Sequence, residues 1–169
     1  MTTIIARPGF VMADTQWTTE SGVEYHSKIM EAPEPFNKGV FIAAGEGGHV
    51  LIRKAWRNCK TAEDISAFLY QNAKEGTEID MLWVLPDRVY YMDTSGTFLQ
   101  YDDWVTAGSG SAFANAYLMT EQWGGVDCIR EFAALAMKAA INCDAHTGGE
   151  PEVRWIEEEL SEEDLEEER

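Results

Sequence analysis

The sequence predicts an α+β domain, and three observations carry that expectation. Short apolar strands come in adjacent pairs around turn residues, at Thr3–Ala6 with Phe10–Ala13 and at Ile79–Leu85 with Arg88–Met92. Amphipathic helical spacing occupies separate stretches, from His49 to Asn58, from Thr61 to about Lys74 and from Asp127 to Cys143. The chain has 169 residues and is 45% apolar, enough for one domain that buries its own core.

Taken in order, Pro8-Gly9 turns the first hairpin, and its second strand delivers Asp14 beside the start of the chain. Thr18-Thr-Glu-Ser-Gly22 reads as a turn cluster, followed by an extended segment from Val23 to Ile29 that contains Lys28. Pro33 and Pro35 place Lys38 in a loop. Val40–Ala44 is a buried strand that runs into Gly45-Glu46-Gly47-Gly48, and the helix after it carries Leu51, Ile52, Ala55 and Trp56 on its apolar side. Glycines at a strand-to-helix junction allow close backbone approach and present N–H groups to negative charge. Thr61-Ala-Glu-Asp64 is a capping-box start for the next helix, whose stripe is Ile65, Phe68, Leu69 and Asn72 and whose stop is Gly76. Asp93–Gly96 is a turn before a strand at Thr97–Tyr101. A further strand ends in Gly108-Ser109-Gly110-Ser111 and opens a small-residue helix, where Ser109 or Ser111 suits the N-cap. Those glycines lack the spacing of a phosphate-binding loop. The long helix to Cys143 has Ile129, Phe132, Ala133, Ala136, Ala139, Ala140 and Cys143 on its expected buried face. It leads to Asp144-Ala-His-Thr147-Gly-Gly149, and Val153–Ile156 closes the domain as a last strand.

Net charge is −17, and Glu157–Arg169 alone contributes −8 from nine acidic residues and one arginine. Residues 1–156 therefore form the expected domain and 157–169 an acidic tail, read as a solvated extension with docking of a basic partner as the alternative. The remaining −9 argues against nucleic-acid and anionic-membrane binding. No apolar run is long enough for a membrane span, and no signal-peptide pattern opens the chain. Cys59, Cys128 and Cys143 are odd in number and widely spaced, which points to reduced thiols in a cytoplasmic setting. No Cys/His group has metal-ligand spacing, and no cofactor is expected.

The chemistry begins at Met1-Thr2. A small residue at position two favours removal of the initiator methionine, which would give Thr2 a free α-amine next to its hydroxyl. That amine, with a reference pKa of about 7.7–8.0, is a base at neutral pH, and the hydroxyl is a nucleophile. The stretch Thr2-Thr3-Ile-Ile, followed by Ala13-Asp14-Thr15-Gln16-Trp17-Thr18, resembles the start of HslV-type peptidases and proteasome β-subunits. Gln16 follows the HslV-type pattern, as does the absence of a pro-segment before Thr2. The resemblance extends to about residue 156. It implies the four-layer αββα sandwich of the N-terminal nucleophile hydrolases, with two antiparallel sheets between helices.

The same resemblance assigns roles. Asp14 and Lys28 set the electrostatics around Thr2, and the Gly47 N–H stabilises the oxyanion. Gly45 falls where the family shapes its primary specificity pocket, so a missing side chain there leaves the pocket roomy. Ser109 lies beside the nucleophile, and Asp144 and Thr147 support the amine and that serine. The implied activity is a threonine endopeptidase acting on peptides or unfolded proteins inside a homo-oligomeric ring, fed by a ring ATPase in many relatives. Two alternatives stay open. Retention of Met1 would leave a non-catalytic ring or scaffold, and a monomer would favour a small-amide amidase of the same hydrolase class.

Overall fold

The computed structural model describes residues 2–19, 22–73, 76–120 and 128–157. The expected tail beyond Glu157, the end of the second helix at Lys74 and the start of the long helix at Asp127 lie outside the described residues.

Strands β1 (Thr3–Arg7) and β2 (Phe10–Ala13) form the expected hairpin, with Ile4 opposite Ala13 and Arg7 opposite Phe10. Gly9 turns it at φ +74°, a left-handed conformation that suits glycine. Strands β3 (Gln16–Thr19) and β4 (Gly22–Tyr25) form a second, separate hairpin. The turn cluster expected at 18–22 is thus shorter than the composition indicated. Next come β5 (Met30–Glu31), β6 (Val40–Ala44), α1 (Gly48–Asn58) and α2 (Ala62–Asn72). The Thr61 capping box is formed in full: its hydroxyl accepts from Asp64 N–H, and the Asp64 carboxylate accepts from Thr61 N–H. The chain continues through β7 (Asp80–Val84), β8 (Val89–Asp93), β9 (Phe98–Tyr101), β10 (Val105–Gly108), α3 (Ser111–Thr120), α4 (Ile129–Cys143) and β11 (Glu152–Trp155).

The strands make a four-stranded sheet in the order β10-β1-β2-β11 and a five-stranded sheet in the order β5-β6-β7-β8-β9, with antiparallel neighbours throughout. Alternation along each strand sends side chains to opposite faces. Ile4, Ala6, Val11 and Ala13 therefore meet Val40, Ile42, Leu82 and Val84 between the sheets. Ile5, Phe10 and Met12 face the other way, onto Ala114, Phe132, Ala133, Ala136 and Met137 of α3 and α4. On the far side, Phe41, Met81 and Met92 pack under Leu51, Ile52, Ala55, Ile65 and Leu69 of α1 and α2. The result is four layers, helix–sheet–sheet–helix. Because both faces of β1 and β2 are covered, residues 4–6 and 10–13 read as unbroken apolar runs. The alanines of α4 let it lie close to α3, but its last residue departs from the expected face: Cys143 is exposed.

Candidate active site

Sheet order determines what surrounds Thr2. It is buried at the head of β1, a central strand flanked by β2 on one side and β10 on the other. The ends of both neighbours carry groups aimed at the Thr2-Thr3 segment.

On the β2 side, the register of the hairpin sets Asp14 against Thr3. The Asp14 carboxylate is fully buried and accepts four hydrogen bonds. Oδ1 accepts from the Thr3 N–H at 2.7 Å and from the Lys28 ammonium at 2.9 Å. Oδ2 accepts from the backbone N–H groups of Gln16 and Gly148, each at 3.2 Å. In return the Asp14 N–H donates to the Thr3 carbonyl at 3.1 Å. The Thr2–Thr3 peptide is thereby tied directly to the Asp14–Lys28 pair. Lys28 is buried, with 3% of its side chain exposed, and its ammonium lies 6.0 Å from the Trp17 ring centroid. Burial pushes the Lys28 pKa below the usual lysine value, and the attraction of Asp14 opposes that fall without cancelling it.

On the β10 side, the Ser109 N–H donates to the Thr2 carbonyl at 3.0 Å. The Ser109 hydroxyl donates to Asp144 Oδ2 at 2.5 Å, and the Thr147 hydroxyl donates to the same oxygen at 2.6 Å. The His146 N–H donates to Asp144 Oδ1 at 3.1 Å. Burial raises the Asp144 pKa, but the Ser109, Thr147 and His146 hydrogen bonds outweigh it and hold the carboxyl below the usual carboxylate range. The hydroxyls form a directed chain. Thr147 gives its proton to Asp144, so Thr3 Oγ1, 2.6 Å away, donates to Thr147 and in turn accepts from the Gly110 N–H at 3.1 Å. Thr3 is a member of this network that the motif spacing did not single out.

Gly45 and Gly47 leave the end of β6 for α1. Ala44, just before them, reaches within 3.0 Å of where a Cβ on Gly108 would lie, which brings this loop to the Thr2 end of the sandwich. Gly47 is the N-cap of α1 with φ +77°, and a Cβ there would meet open space. The backbone conformation, and not crowding, calls for glycine at this position. Gly45 differs: with φ +116°, a Cβ would stand 2.3 Å from the Glu78 carbonyl. The space left by its missing side chain is filled by backbone, where the sequence led us to expect open pocket.

Thr2, Asp14, Lys28, Ser109, Asp144 and Thr147 are thus linked through hydrogen bonds around one strand end, and Gly45 and Gly47 lie on the neighbouring loop. Lys38, the other lysine near Lys28 in sequence, lines a separate groove beside Leu85, Pro86 and Ile156. That groove lies at the Gly9 end, where Gly9 bonds to Leu85 and Ile156.

Comparison with known proteins adds to this geometry. The proteasome subunit family model matches residues 58–156, a span that includes Ser109, Asp144 and Thr147. The comparison with curated proteins finds no match. The crystal structure of eukaryotic HslV from Trypanosoma brucei is similar over 90% of this chain and 97% of that chain, with a TM-score of 0.64 and 18% identity. At that identity the likeness speaks for the fold, which is that of the N-terminal nucleophile hydrolases.

Proposed function

The chain belongs to the proteasome subunit family, and from that premise we propose that it is a threonine peptidase whose nucleophile is Thr2. One observation carries the reading. Thr2 heads a central strand, with the Lys28–Asp14 pair bonded into one neighbouring strand end and the Ser109–Asp144–Thr147 network bonded into the other.

Removal of Met1 exposes the Thr2 amine. The Thr2 hydroxyl attacks the carbonyl carbon of a peptide bond, and its proton passes to the amine through ordered water. The tetrahedral oxyanion is held by the Gly47 N–H at the start of α1. Collapse breaks the C–N bond, and the ammonium returns the proton to the departing amine. Water then attacks the Thr2 ester, releasing the acid and restoring the hydroxyl. The Lys28 ammonium favours the developing negative charge, and Asp14 holds that ammonium in place. Ser109, with Asp144 and Thr147 behind it, positions the amine. Gly45 contributes backbone at the edge of the substrate site.

Family analogy extends the proposal to a homo-oligomeric ring that encloses the sites, to unfolded-protein substrates, to a ring ATPase as feeder and to a cytoplasmic location. No helix among the described residues is long and apolar enough to cross a membrane.

The test is the intact mass of untagged protein, followed by peptide hydrolysis by wild type and Thr2→Ala. A mass lacking one methionine, with hydrolysis lost in Thr2→Ala while the assembly persists, supports the reading. Retention of Met1 in normally assembled protein would sink it and leave a non-catalytic scaffold.

A further inference from the structure

Asp80 opens β7 in the five-stranded sheet, opposite Ala44 on β6 and Asp93 on β8. Its carboxylate bridges to the other sheet. Oδ2 accepts from the Gly108 N–H at 3.1 Å, and Oδ1 accepts from the Tyr91 hydroxyl at 2.8 Å. Gly108 pairs with Thr3 across the β1–β10 ladder, yet Thr3 gives its N–H to Asp14 and Gly108 gives its N–H to Asp80. The Gly108 donor thus points away from β1 into the space between the sheets, where it needs an acceptor.

We propose that Asp80, oriented by Tyr91, is a positioning residue for the Thr2 reaction, acting through the Gly108–Ser109 turn. The inference rests on Thr2 being the nucleophile. Ser109 follows directly on Gly108, holds the Thr2 carbonyl with its N–H and bonds Asp144 with its hydroxyl. The turn has no slack: a Cβ on Gly108 would lie 1.8 Å from the Thr2 carbonyl oxygen. A shift of Gly108 therefore moves Thr2 and Ser109 together, and sub-ångström placement matters to a reacting group. Tyr91 suits the orienting role. Burial and its bond to Asp80, with Asp93 close by, raise its pKa well above the ordinary tyrosine value, so it remains a neutral donor.

The experiment compares full-length wild type, Asp80→Ala, Asp80→Asn and Tyr91→Phe in steady-state peptide hydrolysis. It also follows amide hydrogen exchange at Ser109. Asp80→Ala is expected to lower kcat about 10-fold or more while KM stays within about twofold, since it misplaces the reacting group without touching substrate. Asp80→Asn keeps an oxygen acceptor for Gly108 and should recover most of that loss. Tyr91→Phe should fall between the two, and Ser109 exchange should speed up in the order of lost activity. If Asp80→Ala does not fold, Tyr91→Phe carries the same test. A kcat within twofold of wild type in folded Asp80→Ala and Tyr91→Phe, or Ser109 exchange unchanged in them, overturns the proposal. Wild-type protein that hydrolyses no peptide, while Ser109 exchange still responds to Asp80, would instead overturn the peptidase reading.

Discussion

Lys28→Met removes the ammonium from the Asp14 carboxylate and keeps an unbranched side chain of similar length in the same buried space. Breaking a buried pair from one side costs about 3–5 kcal/mol, because the remaining charge is left without its partner. Asp14 keeps three backbone donors, from Thr3, Gln16 and Gly148, so the loss belongs near the lower end, about 3 kcal/mol. For a chain of this size that lowers the melting temperature by roughly 6–12 °C. Urea unfolding, at fixed protein concentration so that assembly contributes equally, measures it. Asp14→Asn in the Lys28→Met background should cost less than in wild type, because the carboxylate it removes is already unpaired. Alkaline pH gives a second readout. The folded pKa of Lys28 lies below its unfolded value of 10.5. Between the two, the unfolded chain binds more protons, so this residue makes stability rise with pH across that window. Lys28→Met should remove its share of that rise. A cycle coupling energy below about 0.5 kcal/mol would show that the pair is not an energetic unit and refute the argument.

Gly108→Ala and Gly47→Ala separate crowding from backbone conformation. Gly47→Ala should cost about 1–2 kcal/mol from its left-handed backbone alone, and Gly108→Ala clearly more, because its Cβ would collide with the Thr2 carbonyl; equal unfolding midpoints would contradict this. Thr61→Ala removes one half of the capping box and is expected to lower stability by about 1 kcal/mol in urea unfolding, with no change pointing instead to a helix start held by packing. Asp144 has a folded pKa below its ordinary value of 3.8, so its contribution is fully present above that value and is lost as pH falls through the lower folded one. The stability gap between wild type and Asp144→Asn should therefore hold steady above about pH 4 and narrow below it in acid titrations followed by circular dichroism; a constant gap down to pH 2 would contradict this.

Much of this was legible because local signals and tertiary demands agree. Pro8-Gly9 between two apolar runs leaves one reasonable hairpin, and Thr61 with Asp64 fixes a helix start that the structure keeps to the residue. Strand β3 was hidden for the opposite reason. Thr-Thr-Glu-Ser-Gly has turn composition, and its partner β4 is exposed along its length, so no alternation of burial marks the pair. Cys143 continues the apolar spacing of α4, but that helix ends where the chain turns towards Asp144, and Cys143 at its end faces solvent. Thr3 escaped because its partner Thr147 lies 144 residues away. Strand parity could have found it. Thr3 shares the helix-facing side of β1 with Ile5, a polar residue at a position where packing alone would choose an apolar one. Asp80 gave no sequence signal, since its acceptor role exists only once the two sheets are stacked.

The position of Thr2 at the head of a central strand, not an edge strand, explains why the site and the fold are hard to separate. An edge strand would offer one neighbouring end, and here there are two, with different electrostatics. In the proposed mechanism, the β2 end brings a buried charge pair, suited to negative charge developing on the hydroxyl oxygen. The β10 end brings hydroxyls around one carboxylate, suited to orienting an amine. Both depend on register. Pairing Ile4 with Ala13 sets Thr3 opposite Asp14, and pairing Thr3 with Gly108 sets Ser109 against the Thr2 carbonyl. A slip of one residue in either ladder would turn every side chain of that strand to the other face. A slip of β2 along β1 would strip Val11 and Ala13 from the space between the sheets at the same step as it displaced Asp14. The apolar core thus holds the polar site in register, and a sequence that specifies the one specifies the other.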